Sequence, residues 1–134
     1  ASKMKMGRYF HPETNLACWK AHAHEYLGYT NSLRNKVLVN FNSWVSDINH
    51  RTSIYDQLNC DTFIPEWKDV SSFGGGSSFD KQKFNGGADS MKVTERWKEF
   101  IDNDEFKSYL RDKELIELSE KIFGHIQGTE IFKK

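Results

Sequence analysis

The residues best suited to binding a metal ion lie in one short segment, which contains Cys18, His22 and His24. On a helix, Cys18 and His22 are four residues apart and share a face, as two ligands must, whereas His24 points elsewhere. A closed zinc site needs four nitrogen or sulfur ligands, and the remaining cysteine and histidines show none of the close pairing typical of zinc modules. The alternative is solvent-facing histidines beside a buried cysteine. We therefore predict no metal and no cofactor.

Cys18 and His22 could also serve as a nucleophile and its base. A thiol inside a helix, however, lacks the helix N-terminus or oxyanion nest that activates such nucleophiles. The acidic cluster Asp102, Asp104 and Glu105 fits helix capping better than acid–base work or a calcium loop. The sequence thus predicts no catalytic residue, and a small metal-dependent hydrolase built on Cys18 and His22 ranks third among the hypotheses.

A glycine-serine stretch with interspersed phenylalanines runs from Ser71 to Gly87 and holds five of the nine glycines. Glycine loses extra backbone entropy on ordering, so this stretch is neither a helix interior nor a central strand. It does not fit a phosphate-binding P-loop either, because no Lys-Ser/Thr pair follows Gly74–Ser78 at the required spacing. A binding loop is the better interpretation.

Five residues of this stretch are the first candidates for contact with a partner: Phe73, Phe79, Lys81, Lys83 and Phe84. Aromatic residues interleaved with cations are typical of single-stranded nucleic-acid platforms, where rings stack on bases and lysines follow the phosphates. The same side chains suit anchoring in a pocket of a partner protein. Two alternatives stay open: the rings pack onto the protein's own core, or the Gly-Gly-Gly-Ser-Ser run is an engineered joint.

A second candidate surface lies near the N-terminus, where Arg8 is followed by Tyr9 and Phe10. If the first two predicted helices lie side by side, Lys20 and neighbouring cations would join these residues in one basic-aromatic face. The alternative is scattered solubilising charge.

Composition limits the classes of partner. The chain has 134 residues with zero formal net charge; residues 1–60 carry seven Lys and Arg against four Asp and Glu, and residues 61–134 carry twelve against fifteen. This balance argues against a protein that binds nucleic acid through a large positive net charge. We therefore favour a protein partner over a nucleic acid. No apolar run approaches the roughly 18 residues of a membrane helix. Two cysteines are too few for a disulfide scaffold and favour an intracellular protein, cytoplasmic or nuclear.

Hydrophobic spacing predicts an all-α fold. Helices are expected over 13–27, from 31 to 48, over 53–58 and from Met91 to Ile101, with a short strand over 36–41 as an alternative within the second. Asp102-Asn103-Asp104 is expected to cap a short helix, and Asp112 a final helix that Gly124 ends.

The sequence therefore predicts a single helical domain over 1–134, a compact bundle of four to six helices with one long Gly/Ser-rich loop. Residues 1–10 are expected to form a flexible lead-in, and 59–90 an irregular loop region. The favoured function is a non-enzymatic binding module, regulatory or adaptor in role, with a protein partner. Nucleic-acid binding through the N-terminal cations and the Phe/Lys loop is the second hypothesis.

Overall fold

The computed structural model describes residues 12–62, 68–77 and 79–132. They contain the α-helices α1 (Pro12–Tyr26), α2 (Phe41–Ser46), α3 (Ile48–Gln57), α4 (Asp104–Tyr109) and α5 (Lys113–Phe123). They also contain four 3₁₀ segments, Phe73–Gly75, Ala88–Ser90, Val93–Phe100 and Thr129–Phe132. No strand forms in this described part, where Ser77 and Lys81 make an isolated β-bridge. The predicted all-α fold class is confirmed.

The described residues form two compact units. The first combines those up to Lys36 with those from Phe100 onward, and the second is Val37–Glu99. The single domain over 1–134 stays a prediction, and the predicted lead-in over 1–10 lies outside the described residues. None of the described helices has the length and apolar character needed to cross a membrane.

In the first unit, α1 packs on α5. Ala23 on α1 and Leu118 on α5 are each only 3% exposed, so both helices contribute to the core of this unit. Asp112 caps α5 as predicted, since its side chain accepts a hydrogen bond from Leu115 N at 2.9 Å. Gly124 ends the helix with a φ of 73°, a left-handed conformation that glycine adopts without a steric penalty.

Glu25 holds the loop that follows α1. Its carboxylate accepts hydrogen bonds from Thr30 Oγ1 (2.6 Å), Ser32 N (2.9 Å), Leu33 N (3.1 Å) and Lys36 Nζ (2.5 Å). The helix predicted from 31 to 48 is wrong over 31–40, because Asn40 has extended backbone and its side chain caps a helix that begins only at 41.

These hydrogen bonds predict a pH dependence of stability. Led by the bond from Lys36, they lower the pKa of Glu25 from 4.5 to about 2. A carboxyl whose pKa is depressed by folding stabilises the protein fully above its unfolded pKa, and this contribution is lost as pH falls from about 4.5 toward 2. Glu25→Gln removes the contribution, so the difference in unfolding free energy from wild type should be constant above pH 5 and shrink below it.

Urea unfolding of the wild type and Glu25→Gln between pH 6 and pH 2.5 measures this difference. Glu117→Gln, at an exposed position on α5, is the matched control and should leave a difference that is small throughout. A Glu25→Gln difference that stays constant down to pH 2.5 would show that the carboxylate does not hold the loop.

In the second unit, two side-chain caps set the helix boundaries. Asn40 has extended backbone and its side chain accepts from Ser43 N at 3.2 Å, which starts α2; Asp47 accepts from Asn49 N at 2.8 Å and starts α3. α3 also includes most of the helix predicted over 53–58. The alternative strand over 36–41 does not form, because residues 36–40 pair with no strand and α2 begins at 41.

α2 and α3 pack on each other around a small aromatic contact. The ring of Trp44 stacks on that of Tyr55, with centroids 6.2 Å apart and planes 14° from parallel. Arg51 Nη1 donates to the carbonyl of Trp44 at 2.7 Å, and Ile54 is 3% exposed. The two short helices therefore act as one structural element.

The segment predicted as an α-helix from Met91 to Ile101 is a 3₁₀ helix, Val93–Phe100. Its half-buried residues include Val93 with Arg96, and Trp97 with Phe100, pairs at a spacing of three that suits a 3₁₀ helix as well as an α-helix. The capping prediction that follows is confirmed: Asn103 accepts from Phe106 N at 2.9 Å and starts α4.

Candidate functional site

The glycine-serine stretch is a folded loop whose two arms are joined by hydrogen bonds. We call residues 68–88 the glycine loop; Ser78 within it lies outside the described residues. Ala88 N donates to Lys68 O at 3.1 Å, and Val70 N donates to the side-chain oxygen of Asn85 at 3.0 Å. The chain therefore leaves and returns at nearly the same place, as in loops that carry function.

Phe73 stands at the first turn of the glycine loop. Its N–H donates to Ser71 Oγ at 3.2 Å, and Gly75 N donates to Ser72 O at 3.0 Å. Gly75 has a φ of 86°, a conformation that side-chain-bearing residues rarely adopt, and so the chain reverses sharply just after the phenylalanine. The side chain of Phe73 is left 92% exposed on a hydrogen-bonded turn.

Phe79 stands at the second turn and is half-buried. The guanidinium carbon of Arg96 lies 5.0 Å from the centroid of its ring. Arg96 Nη2 also donates to Asp80 Oδ2 at 2.5 Å, and Asp80 N in turn donates to Ser77 Oγ at 3.2 Å. Arg96 thus fastens this turn to the 3₁₀ helix Val93–Phe100.

The remaining predicted residues of the loop also include both half-buried and exposed side chains. Phe84 is half-buried, with Lys83 Nζ 5.2 Å from its ring centroid. Lys81 and Lys83 are exposed, and the backbone of Lys81 pairs with Ser77 in both directions, at 2.8 and 3.0 Å. The loop therefore combines one exposed ring and two exposed lysines with two rings held against neighbouring cations.

Arg96 is the residue of this site that no pattern in the sequence indicates. It lies sixteen residues beyond Asp80 and in a separate predicted element. No spacing rule for helices or turns connects positions that far apart. Its role follows only from the tertiary structure.

Lys20, the fourth predicted cation of the binding surface, joins α1 to α5. Its ammonium lies 2.7 Å from Asp112 Oδ2 and 2.8 Å from Glu114 Oε2, and His24 Nε2 lies 3.0 Å from Glu114 Oε1. Hydrogen bonds to Asp112 and Glu114 raise the pKa of Lys20, and the bond from Lys20 lowers the pKa of each carboxyl. Two carboxylates thus neutralise this charge locally. The other predicted members of that surface, Arg8, Tyr9 and Phe10, lie outside the described residues.

Cys18 and His22 are both exposed on α1. The expectation that Cys18 is buried is therefore wrong. Neither Cys18 nor Cys60 takes part in a disulfide. Residues 12–62, 68–77 and 79–132 contain no cluster of three or more His, Cys, Asp or Glu side chains placed to hold a metal ion. The metal-dependent hydrolase stays a hypothesis from the sequence.

Comparison with known protein families, characterised proteins and solved structures finds no match to this chain. Function must therefore be inferred from the residues and their geometry. Among the described residues, the exposed phenylalanine of the glycine loop is the feature least explained by folding.

Proposed function

We propose that this protein is a non-enzymatic binding module, regulatory or adaptor in role, that inserts Phe73 into a pocket of a partner protein. The observation that carries the proposal is the 92% exposure of the Phe73 side chain on a turn held by hydrogen bonds. Phenylalanine is among the residues most often buried, so an isolated protein gains nothing by presenting it to water.

The energetics of a single ring support a contact of this kind. Fully burying a phenylalanine side chain is worth about 1.5–3 kcal/mol relative to leaving it exposed. Binding energy at protein interfaces is concentrated in a few such anchors. The arms of the loop are joined by hydrogen bonds from Val70 N to Asn85 and from Gln82 Nε2 to Ser71 O (2.9 Å). These bonds reduce the conformational entropy that the loop loses on binding.

The state of the other two rings favours a protein over a nucleic acid. A single-stranded nucleic-acid platform stacks successive bases on successive exposed rings. Phe79 lies against Arg96 and Phe84 lies beside Lys83, so each of these two rings already contacts a cation of the protein itself. Zero net charge also favours a protein. Nucleic-acid binding by Phe73, Lys81 and Lys83 is the alternative, and it predicts an affinity that falls steeply with salt.

An intracellular location, cytoplasmic or nuclear, is part of the same proposal. Its support is the cysteine usage: Cys18 and Cys60 are both exposed and unbridged. Exposed free thiols suit a reducing compartment better than an oxidising one.

Photo-crosslinking tests the proposal directly. The protein carrying p-benzoylphenylalanine at position 73 is irradiated in an extract of the cells that express it, in parallel with protein carrying the same group in place of Leu58. Leu58 is the matched control because it is 56% exposed in the same unit. We expect one protein to be attached from position 73 and not from position 58. No adduct from position 73, or the same set of adducts from both positions, would overturn the proposal.

A further inference from the structure

The returning arm of the glycine loop contains Asn85 followed by Gly86, and both residues are exposed. Gly86 has a φ of 85° and no Cβ, so no side chain of its own shields its backbone nitrogen. Within the described residues, no group accepts a hydrogen bond from Gly86 N. This nitrogen is therefore available to attack the side-chain carbonyl carbon of Asn85, a reaction that closes a five-membered ring.

Two other asparagines precede a small residue, and in both cases the next backbone nitrogen is engaged. Asn31 precedes Ser32, whose N donates to a carboxylate oxygen at 2.9 Å. Asn42 precedes Ser43, whose N donates to a side-chain amide oxygen at 3.2 Å. Such a nitrogen must give up its hydrogen bond before it can attack, and that loss costs free energy. The structure therefore distinguishes Asn85 from both.

A backbone donor faces the oxygen of Asn85 on which charge develops in this reaction. Val70 N donates to Asn85 Oδ1 at 3.0 Å. Attack on Cγ makes that carbon tetrahedral and places negative charge on Oδ1. A preorganised N–H group stabilises such a charge, as in an oxyanion hole.

We propose that Asn85 is a site of spontaneous deamidation and that the isoaspartyl product opens the arms of the glycine loop. Gly86 N bonds to Asn85 Cγ, the bond from Cγ to Nδ2 breaks, and ammonia leaves with the proton that Gly86 N loses. Water then opens the cyclic imide, at Cγ to give aspartate or at the backbone carbonyl carbon to give isoaspartate. Nothing is oxidised or reduced, and water is the only co-reactant, so the proposal does not depend on a partner.

The isoaspartyl linkage lengthens the returning arm, because its main chain runs through Cβ and Cγ of residue 85 and gains one atom. Gly87 N closes the turn across this linkage by donating to Phe84 O at 2.9 Å. The next residue closes the loop, since Ala88 N donates to Lys68 O at 3.1 Å. An extra main-chain atom inside the turn moves both donors away from their acceptors.

The first test follows the conversion itself. The purified protein is incubated in mildly alkaline buffer, and its peptides are analysed by a mass-spectrometric method that separates aspartyl from isoaspartyl products. Asn85 should convert at least about tenfold faster than Asn31 or Asn42, whose following nitrogens are hydrogen-bonded and flanked by a side chain. Conversion of Asn85 no faster than of these two asparagines, or the absence of an isoaspartyl product, would overturn the proposal.

Two alanine variants test the role of Gly86. Gly86→Ala adds a Cβ beside the attacking nitrogen, and apart from its chain neighbours this atom meets nothing within 4 Å. Gly75→Ala is the matched control, because Gly75 has a similar φ of 86° in the same loop and an equally open Cβ position. Gly86→Ala should slow the conversion of Asn85 about tenfold, equivalent to about 1.4 kcal/mol in activation free energy, and Gly75→Ala should leave it unchanged. Equal rates in the two variants would contradict the mechanism.

Hydrogen exchange tests the effect on the loop. In the isolated isoaspartyl form, the amide of Ala88 should exchange at least about tenfold faster than in the wild type, because the arms of the loop open more often. Asn85→Asp is the control, since it keeps the normal main chain and an acceptor for Val70 N, and its Ala88 amide should exchange as in the wild type. Equal exchange in the isoaspartyl form and the wild type, or equally fast exchange in Asn85→Asp, would show that the longer main chain does not open the arms.

Discussion

Phe73→Ala is expected to weaken the affinity for the partner captured from position 73 by at least about 30-fold, because truncating a central aromatic anchor typically removes about 2 kcal/mol or more of binding free energy. The folding stability should change by no more than about 0.5 kcal/mol, since the side chain is 92% exposed. Titration of the purified partner into each variant measures the affinity, and urea unfolding measures the stability.

Leu58→Ala is the control for the loss of an exposed apolar side chain elsewhere in the same unit, and should bind the partner as the wild type does. Phe73→Leu keeps an apolar side chain of similar length and should recover part of the affinity. Normal binding by Phe73→Ala, or a loss of affinity in Leu58→Ala as large as that in Phe73→Ala, would contradict this role for Phe73.

Gly76→Ala is expected to destabilise the second unit by about 2–3 kcal/mol. Gly76 has a φ of 96°, and a non-glycine residue in the left-handed region costs about 1–2 kcal/mol. An added Cβ would also lie 2.5 Å from Gln82 Nε2 and 2.6 Å from Lys81 O. Because Lys81 O accepts from Ser77 N, the new atom displaces the bridge between the arms of the second turn.

Gly75→Ala separates the cost of the backbone conformation from the cost of the steric clash. Gly75 has a similar φ of 86°, but a Cβ there would meet nothing within 4 Å. This variant should lose only the backbone contribution of about 1–2 kcal/mol. Urea unfolding of both variants measures the difference. Equal destabilisation by Gly75→Ala and Gly76→Ala would show that the loop does not close as the structure has it.

The features of the fold that could be predicted from the sequence are those set by local chemistry. Apolar spacing predicts α1. The starts of α4 and α5 are set by the capping residues Asn103 and Asp112, and the end of α5 is set by Gly124. Each depends on residues within one turn of one another, which a sequence displays directly.

The second predicted helix is wrong because its apolar spacing continues through two capping residues. Asn40 and Asp47 both have extended backbone, and their side chains accept hydrogen bonds from Ser43 N and Asn49 N, so separate helices begin at 41 and 48. A side-chain cap starts a new helix whatever the apolar spacing on either side of it.

The glycine loop shows the same limit at the candidate site. Its glycines and interspersed phenylalanines predict a binding loop. The spacing of Phe73, Phe79 and Phe84, however, does not indicate which of the three rings is exposed. The structure distinguishes them, because Arg96 reaches back sixteen residues to Asp80 and lies over Phe79. A tertiary contact of this kind decides which ring stays exposed.

The most direct test of the central claim is the solvent accessibility of the ring at position 73, free and bound. 4-Fluorophenylalanine is placed at position 73 or, as the control, at position 79, and its ¹⁹F signal is recorded with a soluble gadolinium chelate. The signal from position 73 should relax rapidly in the free protein and become protected when the captured partner is added, whereas that from position 79 should relax more slowly and change little. A ring at position 73 that is already protected in the free protein, or that stays accessible in the complex, would contradict the account.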